Sequence, residues 1–175
     1  MTRVLVMTAW AYNPFEFWTI LKNIQNENWE FKVISTNSVI EEEKTANERF
    51  AVDTLENFDI ETIKEYDGLV LSGGNFICVS KYYYDPYARN IVLEFNKLNK
   101  PLAAVCATVP IMRYVLKGKK ATAFPTTKVL SLLKNAGVIV TNNTLEVDGN
   151  CITAQHEEAA DQMMKEFISK IKSYQ

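Results

Sequence analysis

Three short apolar runs restrict this chain more than anything else in it. Val4-Leu5-Val6-Met7, Leu69-Val70-Leu71 and Leu102-Ala103-Ala104-Val105 are continuous, with no polar residue alternating through them. A strand that is apolar on both sides has both faces covered, which is the habit of parallel strands with helices above and below the sheet. Helical stripes lie between the runs. Asn13-Pro14-Phe15-Glu16 supplies an N-cap, a first-turn proline and a capping-box acid, and Phe17, Ile20, Leu21 and Ile24 then follow at helical spacing. Further strands are predicted over 29–35, 138–140, 145–147 and 151–153, the last two joined as a hairpin across Asp148-Gly149-Asn150. A short strand or connector is expected over 119–124. Helices are expected over 54–66, 88–98, 126–135 and 157–171, with one more opening after Cys106. Residues 36–53 are polar and acidic and read as an exposed excursion containing a small β-hairpin. Strands alternating with helices predict an α/β fold, a mostly parallel sheet wound on both sides, in one domain spanning 1–175.

The bulk properties exclude several partners. A length of 175 residues suffices for one real core, and 47% hydrophobic with 23% charged content is ordinary for a globular protein. A formal charge of −2, with Lys and Arg scattered, gives no electrostatic reason to expect nucleic acid or an anionic membrane as partner. The first apolar run is too short for a signal peptide, and nothing approaches the roughly 18 apolar residues that span a bilayer. Cys78, Cys106 and Cys151 are irregularly spaced, which fits neither a disulfide framework nor a metal-ligand pattern. A cytoplasmic location is therefore expected. No phosphate-binding glycine loop or metal cluster is present, so no cofactor and no metal are expected.

Cys106 is the residue that suggests chemistry. The run Leu102–Val105 stops at this cysteine and a helix is predicted to follow. A thiol at such a turn sits at the C-terminal edge of the sheet, where helix amides favour the nucleophilic thiolate. The arrangement is that of a nucleophile elbow with sulfur in place of oxygen. The bland alternative is a small buried hydrophobe, the usual role of a free cysteine. Cys78 and Cys151 lack this placement and are read as structural.

Three segments carry a resemblance. Tyr66-Asp67-Gly68-Leu69-Val70-Leu71-Ser72-Gly73-Gly74, Lys100-Pro101-Leu102-Ala103-Ala104-Val105-Cys106-Ala107 and Lys117-Gly118-Lys119-Lys120-Ala121-Thr122-Ala123-Phe124-Pro125 resemble the ThiJ/PfpI (DJ-one) superfamily, whose fold is related to class I glutamine amidotransferases. The hairpin at 148–154 is similar too, so the likeness covers nearly the whole chain. The resemblance implies a flavodoxin-like three-layer sandwich and a homodimer. It implies a reactive cysteine at Cys106, a carboxyl partner at Glu16, and an oxyanion site at the backbone of Gly73, Gly74 and Asn75, with the Ala107 amide beside the sulfur. Family members include cysteine peptidases, deglycases and glyoxalase-like enzymes, chaperones and redox sensors.

The chain also departs from the family pattern. The position after the cysteine, His in the peptidase-like branch, is Ala107, and the connector position that is His in another branch is Phe124. Thr108 replaces the small Gly near the elbow, and Ser72 replaces a proline before the glycines. His156, the only histidine, follows the strand over 151–153, so it is a candidate general base at the ligand edge of the sheet or else a solvated loop residue. Glu16 likewise has two readings, capping-box acid or a protonated carboxyl beside sulfur. The aromatic sets Trp10, Tyr12, Phe15, Phe17, Trp18 and Tyr82, Tyr83, Tyr84, Tyr87 are expected in the core, at the site mouth or in a dimer interface. The expected function is a cysteine-dependent hydrolase or lyase acting on a small carbonyl electrophile, of protease/amidase or glyoxalase/deglycase type, with Cys106, Glu16 and His156 as catalytic residues. The alternative is a redox-sensing or stress-response homodimer with an oxidisable Cys106.

Overall fold

The computed structural model describes residues 1–174. Its strands are β1 Arg3–Thr8, β2 Ala11–Tyr12, β3 Glu30–Ser35, β4 Val39–Glu42, β5 Phe50–Ala51, β6 Asp53–Thr54, β7 Gly68–Ser72, β8 Leu102–Val105, β9 Lys120–Ala121, β10 Ile139–Val140, β11 Leu145–Asp148 and β12 Cys151–Ala154. Its helices are α1 Pro14–Asn26, α2 Phe76–Tyr82, α3 Pro86–Lys97, α4 Thr127–Asn135 and α5 Ala160–Tyr174. The main sheet runs β11-β12-β8-β7-β1-β3-β6. Every neighbouring pair in it is parallel except the hairpin β11–β12.

The continuous apolar runs are the three central strands, and each contributes alternately to two cores. Leu5, Met7, Leu69, Leu71, Leu102 and Ala104 face one side, with Ile91, Val92 and Phe95 of α3 and Val129 and Leu133 of α4. Val4, Val6, Val70, Ala103 and Val105 face the other, against Phe17, Ile20 and Ile24 of α1 and Met163, Met164 and Phe167 of α5. Two buried faces remove any polar alternation, which is why the runs are unbroken. The predicted doubly wound α/β sandwich is the observed one.

Several local expectations are corrected. The segment after Cys106 is a seven-residue 3₁₀ turn, Cys106–Met112, with Pro110 inside it. Proline has no N–H for an α-helical ladder and its ring crowds the preceding turn, so a longer helix cannot form there. The helix expected over 54–66 is a 3₁₀ segment at Ile60–Glu65. The aromatic segment around Tyr82 carries a helix of its own, α2, capped by Asn75 through the Ile77 N–H. The excursion over 36–53 holds the hairpin β4–β5, which joins β2 in a small separate sheet. Its neighbour β6 instead extends the main sheet beside β3.

Candidate active site

Cys106 occupies the elbow between β8 and the 3₁₀ turn with φ of +61°. A side chain with a Cβ adopts this left-handed conformation only against a steric cost of about 1–2 kcal/mol, so the surroundings must hold it. They do so from several directions. The Phe124 N–H donates to the Cys106 carbonyl at 3.2 Å. The Tyr83 hydroxyl, fully buried at the end of α2, donates to the Ala107 carbonyl at 2.7 Å. Thr108 Oγ1 donates to the Val105 carbonyl at 2.6 Å and lies 3.3 Å from that of Leu71. Thr108, a departure from the family pattern, therefore fastens the elbow to the end of β7.

Glu16 lies on the first turn of α1 and is 1% exposed. Asn13 caps that helix as the sequence suggests, its side-chain oxygen accepting from the Glu16 N–H at 3.1 Å. The glutamate does not complete a capping box. The Asn13 N–H goes instead to the Gly73 carbonyl at 3.0 Å, and Glu16 Oε2 accepts the Gly73 N–H at 2.7 Å. The same carboxyl is coupled electrostatically to the Cys106 thiol. Burial pushes the Glu16 carboxyl up to about 8, with the charges of Glu157 and Glu43 adding to the rise, while the bonds from Gly73 and Cys106 oppose it. Burial also raises the Cys106 thiol well above its ordinary value, helped by the charges of Glu16 and Glu157; only the Ala107 amide pulls it down. The helix amides expected to favour thiolate are thus outweighed in the resting protein. Both groups are biased toward their protonated forms, and the more acidic of the two is Glu16.

The glycine turn is divided between two tasks. Gly73 gives its N–H to Glu16, so that amide is committed. Gly74 lies opposite Tyr12 in an isolated antiparallel bridge whose bonds run from Asn13 N–H to Gly73 O and from Asn75 N–H to Ala11 O. Those bonds leave the Gly74 N–H outside the pair. A Cβ on Gly74 would fall 1.9 Å from the Ala11 carbonyl oxygen, so only glycine permits this approach. Asn75 is engaged through both its N–H and its side-chain oxygen, which caps α2.

His156 stands at the end of β12, just before the 3₁₀ turn Glu157–Ala159. Its ring meets the Phe124 ring edge-on, centroids 5.6 Å apart. Phe124 thus touches the His156 ring with its own ring and the Cys106 carbonyl with its N–H, and the groups acting on the sulfur include Glu16, the Ala107 amide and Glu157. The aromatic sets divide. Tyr12, Phe17, Tyr82 and Tyr83 are buried, whereas Phe15, Trp18, Tyr84 and Tyr87 are exposed. Cys78 and Cys151 are both buried. Among the described residues there is no metal-type cluster of His, Cys, Asp and Glu, and no helix is long and apolar enough to cross a membrane.

The DJ-1/PfpI family model matches residues 2–170. The chain belongs to this family. A deglycase of Thermococcus kodakarensis is 27% identical over 172 residues, covering 97% of this chain and 99% of its own length. A protein of Methanocaldococcus jannaschii is 34% identical over 99 residues; the match takes in 55% of this chain and about half, 47%, of that longer protein. Among solved structures, a ThiJ/PfpI domain protein from Brachyspira murdochii superposes with a TM-score of 0.84 at 19% identity, covering 98% of this chain and 96% of that one. Against that family background two participants escaped the sequence reading. Glu157, whose charge reaches both Glu16 and Cys106, accepts a hydrogen bond from Asn13 Nδ2 at 2.5 Å across 144 positions. Tyr83 was visible only as one aromatic among four. Neither carries a local signal, because each acts through a partner distant in sequence.

Proposed function

We propose that this DJ-1/PfpI protein is a cysteine-nucleophile enzyme, a hydrolase or lyase acting on a small carbonyl-type electrophile. The observation that carries the reading is Cys106 held at a strained elbow and coupled to the buried Glu16 carboxyl, which the Gly73 N–H holds in place. A carboxyl raised to about 8 is matched to proton transfer near neutral pH. In its ionised fraction Glu16 takes the thiol proton as Sγ bonds to the carbonyl carbon. The C=O electron pair moves onto oxygen, facing the Gly74 and Ala107 amides, and Glu16 returns the proton to give a neutral hemithioacetal. His156 is assigned to proton movement in the later steps, across Phe124. The deglycase names of relatives at 27–28% identity support this reaction class. The reading places the enzyme in the cytoplasm as a homodimer, for which exposed Trp18 and Phe50, 5.6 Å apart, offer apolar contact area.

The test is turnover of a panel of small aldehydes and 2-oxoaldehydes. Cys106→Ala should abolish it and Glu16→Gln should reduce it by roughly 10²-fold or more. Full turnover by Cys106→Ala would sink the assignment. A redox-sensing role for Cys106 is favoured by one observation, the absence of histidine from the bonds at the sulfur among the described residues. A protein inert toward the panel that gains two oxygens on Cys106 under mild peroxide, read by intact mass, would belong to that second class.

A further inference from the structure

Asn13 ties together the segments that surround the sulfur. Its N–H holds the Gly73 carbonyl, its side-chain oxygen holds the Glu16 N–H, and its side-chain nitrogen donates to Glu157 Oε2. Glu157 is only half-buried and sits on the turn that follows His156, so it belongs to the solvent side of the site. We propose that Glu157, fixed by Asn13, is a specificity-determining residue that makes Cys106 discriminate against negatively charged electrophiles in favour of neutral or cationic ones. This rests on Cys106 being the reacting thiol, but it concerns which electrophile reaches that thiol rather than what happens afterwards.

The argument is one of sign and position. The charged side chains felt at the Glu16–Cys106 pair are Glu157, from the turn after β12, and Glu43, from the loop after β4. Both are acidic. Glu43 is anchored through its backbone N–H to the Tyr12 carbonyl, whereas the Glu157 carboxylate itself is gripped by Asn13. A held charge beside the buried Glu16 carboxyl acts through a lower effective dielectric than a mobile surface charge does. An anionic electrophile approaching the sulfur is repelled throughout its path, and a neutral one is not.

Iodoacetate and iodoacetamide test this directly, because both alkylate sulfur by the same displacement: the S–C bond forms, the C–I bond breaks, iodide leaves and the thiol proton passes to solvent. They differ by one negative charge. The rate ratio of iodoacetate to iodoacetamide at Cys106, followed by mass spectrometry of the intact protein, should rise roughly three- to tenfold in Glu157→Gln. Gln keeps an oxygen for the Asn13 hydrogen bond, so the change removes charge rather than the tie. Glu158→Gln on the same turn removes the same net charge from an exposed position and should leave the ratio unchanged. In the unmodified protein the ratio should rise with added salt, since screening weakens the repulsion; this arm stands even if the Glu157 variant fails to fold. An unchanged ratio in Glu157→Gln, an equal rise in Glu158→Gln, or a salt-independent ratio would each overturn the proposal. Cys106→Ala turnover tests the enzymatic reading separately, so the two can fail independently.

Discussion

At the scale of single residues, Glu16 is a carboxyl buried with its pKa strongly raised. Its carboxyl is driven from 4.5 to about 8 in the folded chain, and the first cause is burial. Between those two values the native protein binds a proton that the unfolded chain has released. The native state's advantage from this group is therefore complete below about pH 4.5 and is lost as pH rises toward 8. Urea unfolding of the wild type should show stability declining across that window by about 2–4 kcal/mol from this source. Glu16→Gln, which preserves the acceptor for the Gly73 N–H, should flatten most of the decline. Glu43 is raised as well, again chiefly by burial, and leaves a smaller slope of the same sign behind. An undiminished slope in Glu16→Gln would place the titrating group elsewhere. The sequence offered two states for this residue and could not choose between them. The spacing of Asn13 and Glu16 describes a capping box, and the alternative acceptor at Gly73 becomes visible only when β7 is brought beside α1.

At the scale of elements, the turn after β7 is where backbone meets backbone. A methyl group on Gly74 would overlap the Ala11 carbonyl and approach Tyr12 Cα to 2.8 Å, and both atoms belong to main chain that cannot rotate away. Tyr12 is itself paired to Glu42 through β4. A methyl on Gly73 meets only the Glu16 Oε2 at 2.9 Å and the Thr108 methyl at 3.4 Å, both movable side-chain atoms. Gly74→Ala should therefore cost more than about 3 kcal/mol, seen as a large drop in melting temperature or loss of soluble protein. Gly73→Ala should cost less while displacing the carboxyl from the sulfur, seen as altered alkylation kinetics at Cys106. Equal melting temperatures for Gly74→Ala and wild type would contradict the close approach. Elements with strong periodic or turn chemistry were legible: the three central strands, α1, α3 and the Asp148-Gly149-Asn150 hairpin. Those fixed by tertiary partners were not. Helix α2 was hidden in an aromatic stretch because Tyr82 and Tyr83 are committed to the Thr8 and Ala107 carbonyls rather than to a visible stripe.

At the scale of the whole molecule, the sheet order explains why so much of the site could be anticipated. Parallel strands wound on both sides place their C-terminal ends along one edge, and Thr8, Ser72, Val105 and Ala154 all end there. Side chains just beyond those ends converge whatever their separation in the chain, which is why Cys106 and the glycine turn could be grouped in advance, while Glu16 joined them through the family resemblance. The direction each side chain takes after leaving its strand depends on loops, and the edge-on contact of His156 with Phe124 was not visible in the sequence. The strand order has another consequence, for the sequence of events during synthesis. Strand β8 lies between β7 and β12, and β12 with its following turn leaves the ribosome well after β8. Until about residue 160 has emerged, β8 lacks one of its two flanking strands and Cys106 lacks the Glu157 carboxylate tied to Asn13. Under the role proposed for Glu157, a nascent chain carries an unselective thiol at Cys106 until the segment around β12 docks.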